Sequence, residues 1–84
     1  MNTPAAGPIV VGIDGSAAAT EAACWAAREA AVRGVPLRLV TALNDGDGAD
    51  QQLERQYAET CLREASAAVG RVEDTVSIDT AILG

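Results

Sequence analysis

Asp14-Gly15-Ser16 is the stretch of this chain whose residue types and spacing are suited to chemistry. It follows an apolar run, Ile9-Val10-Val11-Gly12-Ile13, and opens onto a long alanine-rich stretch. A carboxylate accepts hydrogen bonds from amino and hydroxyl groups, a glycine permits a tight turn and close approach of a ligand, and a helix start offers free N–H groups. The same residues serve equally to satisfy backbone donors at a turn and a helix start. Residue type alone gives the two roles equal weight.

Several other chemistries do not fit. Gly12 and Gly15 do not complete a G-x-G-x-x-G fingerprint, and the chain has no Lys for a Walker loop. An Asp-x-Asp phosphatase corner would need a carboxylate where Gly12 stands. "VGIDGS" is similar to the phosphate corner of sugar kinases of the actin-like fold, but those continue into a hairpin, whereas a helical pattern follows here. Ser16 has no His or Lys to activate it, and nothing in the sequence brings Asp14 and Asp79 together as a carboxylate pair. Asp45, Asp47 and Asp50 alternate as in a calcium loop, but the glycine and terminal Glu of that frame are missing, which favours a solvated turn. The pattern offers no catalytic residues and no metal ligands.

The elements that must position the Asp-Gly-Ser corner alternate between strand and helix. Residues 1–7 form a loose arm. A strand follows from Pro8 to about Ile13, apolar enough to be buried on both faces. Ser16 or Thr20 caps a helix that runs to about Arg33 and stops at Gly34, with Pro36 just beyond. Its alanines let it sit close to a sheet, and Trp25 adds bulk. Residues 35–43 form a second strand, and "NDGDGAD" (44–50) is a loop of turn formers. Asp50 is the expected N-cap of a second helix, extending to about Val69 with an apolar stripe of Leu53, Tyr57, Cys61, Ala65 and Ala68. Residues 75–82 alternate with period two, as an edge strand does. Trp25 and Tyr57 are expected as core anchors, and the charged residues of the second helix as a solvated face.

This order predicts a parallel α/β sheet, a βαβαβ unit with strands in the order 3-2-1 and both helices on one face. The other face is then bare, and the first strand lies at an edge.

With 84 residues the chain has room for a single domain, 1–84, with a marginal core. Its only aromatics are Trp25 and Tyr57, so Ala, Val, Leu and Ile must fill the interior. Twelve acidic residues against six Arg give a net charge of −6, which argues against nucleic-acid binding. Cys24 and Cys61 lack a CxxC partner and are expected as buried free thiols. No run is long enough for a signal core or a membrane span, so a reduced, cytoplasmic setting is expected.

"IVVGIDGS" followed by "WAAREAAVRGVPLRLVTAL" resembles the N-terminal half of universal stress proteins of the actinobacterial type. The resemblance is specific over residues 8–43 and general over 50–83. It implies the adenine nucleotide alpha hydrolase-like fold, an open parallel sheet of which the C-terminal strands are lacking here. It also implies a partial ATP site. Asp14 would meet the nucleoside, Gly15 and Ser16 would form the corner beside it, and the backbone of Thr41 and Ala42 would lie against adenine. The glycine-rich G-x2-G-x9-G-[ST] segment that grips the triphosphate in the family has no counterpart in this sequence. ATP is therefore expected to bind weakly or not at all to this chain alone.

The functional expectation is a non-enzymatic stress-response module acting by binding or association, as a homo-oligomer or with a fuller universal stress protein. The alternatives are a nucleotide-binding or ATP-hydrolysing enzyme completed by a partner chain, and an inactive truncated fragment.

Overall fold

Pro8 has no N–H to offer a neighbouring strand, and pairing begins at the next residue, where the Ile9 N–H donates to the Pro36 carbonyl at 3.0 Å. A computed structural model describes the backbone of residues 7–43 and 48–83, with the side chains of all of these except 48–50. Residues 1–6 of the expected arm, and residues 44–47 of the expected loop, including Asp45 and Asp47, lie outside the described residues.

The order is β1 (Ile9–Gly12), α1 (Ala17–Arg33), β2 (Leu37–Ala42), α2 (Gly48–Val72) and β3 (Ile78–Leu83). The three strands form one parallel sheet in the order β1-β2-β3, the expected 3-2-1 arrangement viewed from its other edge. Each helix touches β2 and the two helices touch one another, so both lie on one face.

α1 ends where its last carbonyls are met by a Schellman motif. Gly34 adopts φ +70°, its N–H donates to the Ala31 carbonyl, and the Val35 N–H donates to the Ala30 carbonyl. This commits the Val35 N–H to the helix, and Pro36 has no N–H. β2 therefore starts at Leu37, two residues later than expected. α2 also departs from its expected bounds. It starts at Gly48, so Asp50 lies inside the helix, and it runs on to Val72. β3 begins at Ile78, three residues later than expected: the helix is still closing at Glu73, whose N–H donates to the Val69 carbonyl at 2.8 Å, and the chain bends through residues 74–76 before it enters the sheet.

The core lies between the sheet and the helices. Ala23, Ala27 and Ala30 of α1, Leu37 and Leu39 of β2 and Val69 of α2 are each 0% exposed. Two sequence expectations fail here. Trp25 is 64% exposed, because at about 100° per residue it points directly away from Ala23 and Ala27. The buried stripe of α2 is Ala58, Cys61, Leu62, Ala65 and Val69; Leu53 and Tyr57 are exposed and Ala68 is half-buried. α2 has 25 residues, about 37 Å of helix, against strands of at most six residues, about 20 Å. Its first turns therefore overhang the strand ends and have no sheet beneath them. Cys61 is buried, Cys24 is half-buried, and both are free thiols.

β1 is not buried on both faces, since Ile9 and Val11 are half-buried towards the helices while Val10 is exposed. The open face carries Val10, Val40, Ala81 and Leu83 around an ion pair between Arg38 and Asp79, which are direct cross-strand partners with Nε to Oδ1 at 3.0 Å. Along β1, Ile9 and Ile13 donate to β2, so by alternation the backbone groups of Val10 and Gly12 face the free edge.

The tight alanine face of α1 has a measurable consequence. Ala27→Leu is expected to destabilise the fold by about 1–3 kcal/mol through overpacking. Ala17→Leu, on the exposed first turn, is expected to change stability by no more than about 0.5 kcal/mol. Urea unfolding of the two variants checks the difference.

Candidate functional site

Ile13, 3% exposed, anchors the end of β1 in the core, and its N–H donates to the Val40 carbonyl at 2.7 Å. The chain then leaves the sheet and turns into α1. The Asp14 Oδ1 accepts the Ser16 N–H at 2.9 Å, and the Ser16 Oγ accepts the Ala19 N–H at 3.1 Å, which makes Ser16 the N-cap. Of the two caps expected from sequence, Ser16 takes the role; the Thr20 hydroxyl donates back to the Ser16 carbonyl at 3.4 Å. Hydrogen bonds from the Ser16 side chain and N–H hold the Asp14 carboxyl below its ordinary value of 3.8. The carboxylate shapes the turn and stays exposed, with lone pairs open to solvent.

A cleft of about 620 Å³ lies beyond the C-terminal ends of β1 and β2. Asp14, Thr41 and Ala42, three of the residues singled out in the sequence, line it together. Gly15 and Ser16 stand beside it. Gly15 adopts φ +87°, and a Cβ there would come within 2.6 Å of the Tyr57 hydroxyl oxygen and 3.1 Å of the Cys61 sulfur. Its lack of a side chain gives the Tyr57 hydroxyl its place.

β2 contributes an open backbone edge. Leu37 and Leu43 donate to the Ser77 and Leu83 carbonyls, so odd-numbered residues of this strand address β3 and even-numbered ones address β1. Pairing with β1 stops at Gly12 opposite Val40. The N–H and C=O of Ala42 therefore face the side that β1 has vacated, presenting one donor and one acceptor to the cleft.

The other wall comes from the overhanging part of α2, through Leu53, Glu54, Tyr57, Ala58 and Cys61. None of these was singled out as a site residue in the sequence. The available signal was helix length, because a helix that outruns its strands must project past their C-terminal ends. Tyr57, 63% exposed, is a flank of the cleft and not a core anchor. Hydrogen bonding to the Cys61 thiol, then the Cys61 charge, desolvation and the carboxylates of Asp14 and Glu64, push its phenol above the ordinary value. Among the described residues the lining carries two carboxylates, Asp14 and Glu54, and no cationic side chain. Such a lining suits uncharged polar groups and opposes phosphate.

Two outcomes follow from this corner. Gly15→Ala is expected to cost about 1–2 kcal/mol from its left-handed backbone. Adding Tyr57→Ala should recover only the part due to the clash, as compared by urea unfolding. For Asp14 the folded value is depressed, so its stabilisation is complete above the ordinary value of 3.8 and is lost as pH falls through the lower folded value. The stability gap between the wild type and Asp14→Ala should therefore narrow on acidification, as read by denaturant titrations across that range.

Among the described residues, no helix is long and apolar enough to cross a membrane. The model of the universal stress protein family matches residues 6–82. Universal stress protein Rv2624c of Mycobacterium tuberculosis is 45% identical over 76 residues, covering 88% of this chain and 28% of that protein. Universal stress protein Rv3134c of the same organism is 42% identical over 81 residues, covering 89% of this chain and 29% of that protein. The chain thus spans less than a third of the length of these relatives. A solved universal stress protein from Archaeoglobus fulgidus superposes with a TM-score of 0.78 at 29% identity, over 94% of this chain and 58% of that one. By sequence and by fold, the chain belongs to the universal stress protein family.

Proposed function

We propose that this chain is a non-enzymatic stress-response module whose cleft takes the nucleoside end of an adenine nucleotide. In this role Asp14 accepts from the ribose hydroxyls. The free N–H and C=O of Ala42, next to Thr41, match the acceptor and donor on the edge of adenine. Gly15 lets the corner come close, and Ser16 holds the helix start in place. The observation that carries the proposal is the convergence of Asp14, Thr41 and Ala42 on one cleft beyond the strand ends, where open α/β sheets bind ligands.

The phosphates are another matter. The 84 residues contain no G-x2-G-x9-G-[ST] segment, the cleft lining is acidic, and the net charge is −6. Phosphate therefore adds no affinity here. A hydrolase completed by the phosphate loop of a partner chain is the alternative, and it requires turnover that disappears in Asp14→Ala.

Association is the second half of the proposal. The open sheet face and the β1 edge present exposed apolar side chains and unpaired backbone groups, which recruit a strand or a covering layer. A second copy or a longer family member in the cytoplasm is the proposed occupant.

Nitrogen–proton NMR titration with adenosine and ATP tests the nucleotide site. Adenosine is expected to shift Asp14, Ala42 and Tyr57 resonances with an affinity of roughly millimolar order, and ATP to bind no better. Asp14→Ala should weaken adenosine binding about tenfold, the effect of one hydrogen bond to a charged group. Micromolar ATP binding by the chain alone would overturn the proposal.

A further inference from the structure

Trp25 is 64% exposed and Val32 83% exposed on the side of α1 that faces away from the sheet. Ala18, also exposed, lies seven residues before Trp25, and Val32 lies seven residues after it. Residues at this spacing drift by only about 20° per step, so the three form one narrow apolar line along the helix. Glu21 and Arg28 share one flank of that line, seven residues apart, and form no ion pair among the described residues. On the other flank Glu29 is held by Arg33 at 3.1 Å, and Ala22 is small.

We propose that the outer face of α1 is a homodimer seam, on which the α1 of a second copy packs antiparallel about a two-fold axis at Trp25. The face is complementary to itself in this orientation. The axis sets Trp25 against Trp25 of the second copy and the small Ala18 against the larger Val32. In an antiparallel pair, like flanks face each other. Glu21 of each copy then meets Arg28 of the other, which forms two equivalent ion pairs from charges that α1 leaves unpaired. Ala22 leaves room for the Glu29–Arg33 pair of the second copy. A parallel arrangement would set unlike flanks together, with Glu21 beside Ala22 and Arg28 beside a Glu29 that Arg33 already holds, and Glu21 would gain no partner.

The seam runs from Ala18 to Val32, about 22 Å of helix. A contact of this size belongs with interfaces below about 1,200 Å², so the dimer dissociates on dilution. It uses neither the cleft nor the open sheet face, and its success or failure is independent of both.

Sedimentation equilibrium and the emission of Trp25, the only Trp in the chain, test the seam. The wild type is expected to self-associate at concentrations up to about millimolar, with Trp25 emission moving to the red on dilution. Glu21→Arg and Arg28→Glu, both at exposed positions, should each weaken association about tenfold. An equimolar mixture of the two variants should restore it, because each Arg then meets a Glu. A wild type that stays monomeric with unchanging emission overturns the seam. So do single variants that associate like the wild type, or a mixture that fails to recover. Association unaffected by both reversals would assign the dimer to the open sheet face or the β1 edge, leaving the preceding assembly proposal intact while this one fails.

Discussion

Ala23, Ala26, Ala27 and Ala30 form one face of α1 with exposures no greater than 3%, and the other spacings in the molecule follow from how closely they let that helix approach the sheet. Small side chains bury little area individually, so the contact gains from close approach and dense packing instead of bulk. The bulk comes from the neighbours. Leu37 and Leu39 of β2 and Leu62 and Val69 of α2 complete the layer. With α1 held tightly over β1 and β2, its N-terminus falls beside the end of β1. The Asp14–Ser16 turn bridges that gap, and Gly15 supplies its positive φ.

The cleft is a by-product of a mismatch in length. α2 is longer than the sheet it covers, and its start projects past the ends of β1 and β2. β2 in turn outlasts its pairing with β1, leaving the Ala42 backbone unclaimed. One wall is thus an unfinished sheet edge and the other an overhanging helix. Between them lie hydrogen-bonding groups fixed by the backbone and an aromatic ring whose hydroxyl sits over a glycine.

Much of this was legible in the letters. The apolar run into Asp14-Gly15-Ser16, the Gly34-Val35-Pro36 stop and the strand–helix alternation all act through local physics, and the parallel sheet followed from them. Asp14 was legible from its place at the end of the first strand, whereas Thr41 and Ala42 were indicated only by the family resemblance; the parallel sheet brings all three to one cleft. Trp25 and Tyr57 were misjudged because hydrophobicity alone says nothing about direction. Trp25 sits opposite the alanine face, which the 3.6-residue period already encodes, and Tyr57 stands to one side of the Ala58, Leu62, Ala65 and Val69 stripe, on the part of α2 that overhangs the strands. The helical wall of the cleft stayed hidden because it depends on that tertiary offset and not on any motif.

The Arg38–Asp79 pair in the middle of the uncovered sheet surface limits what can settle there. In water its charges cost nothing to keep, but a wholly greasy layer laid over them would strip their hydration and return little. A tenant of that surface must bring polar groups of its own to the centre and keep its oily contacts to the margins near Val10 and Leu83. A pair so placed would favour matched surfaces over indiscriminate clumping.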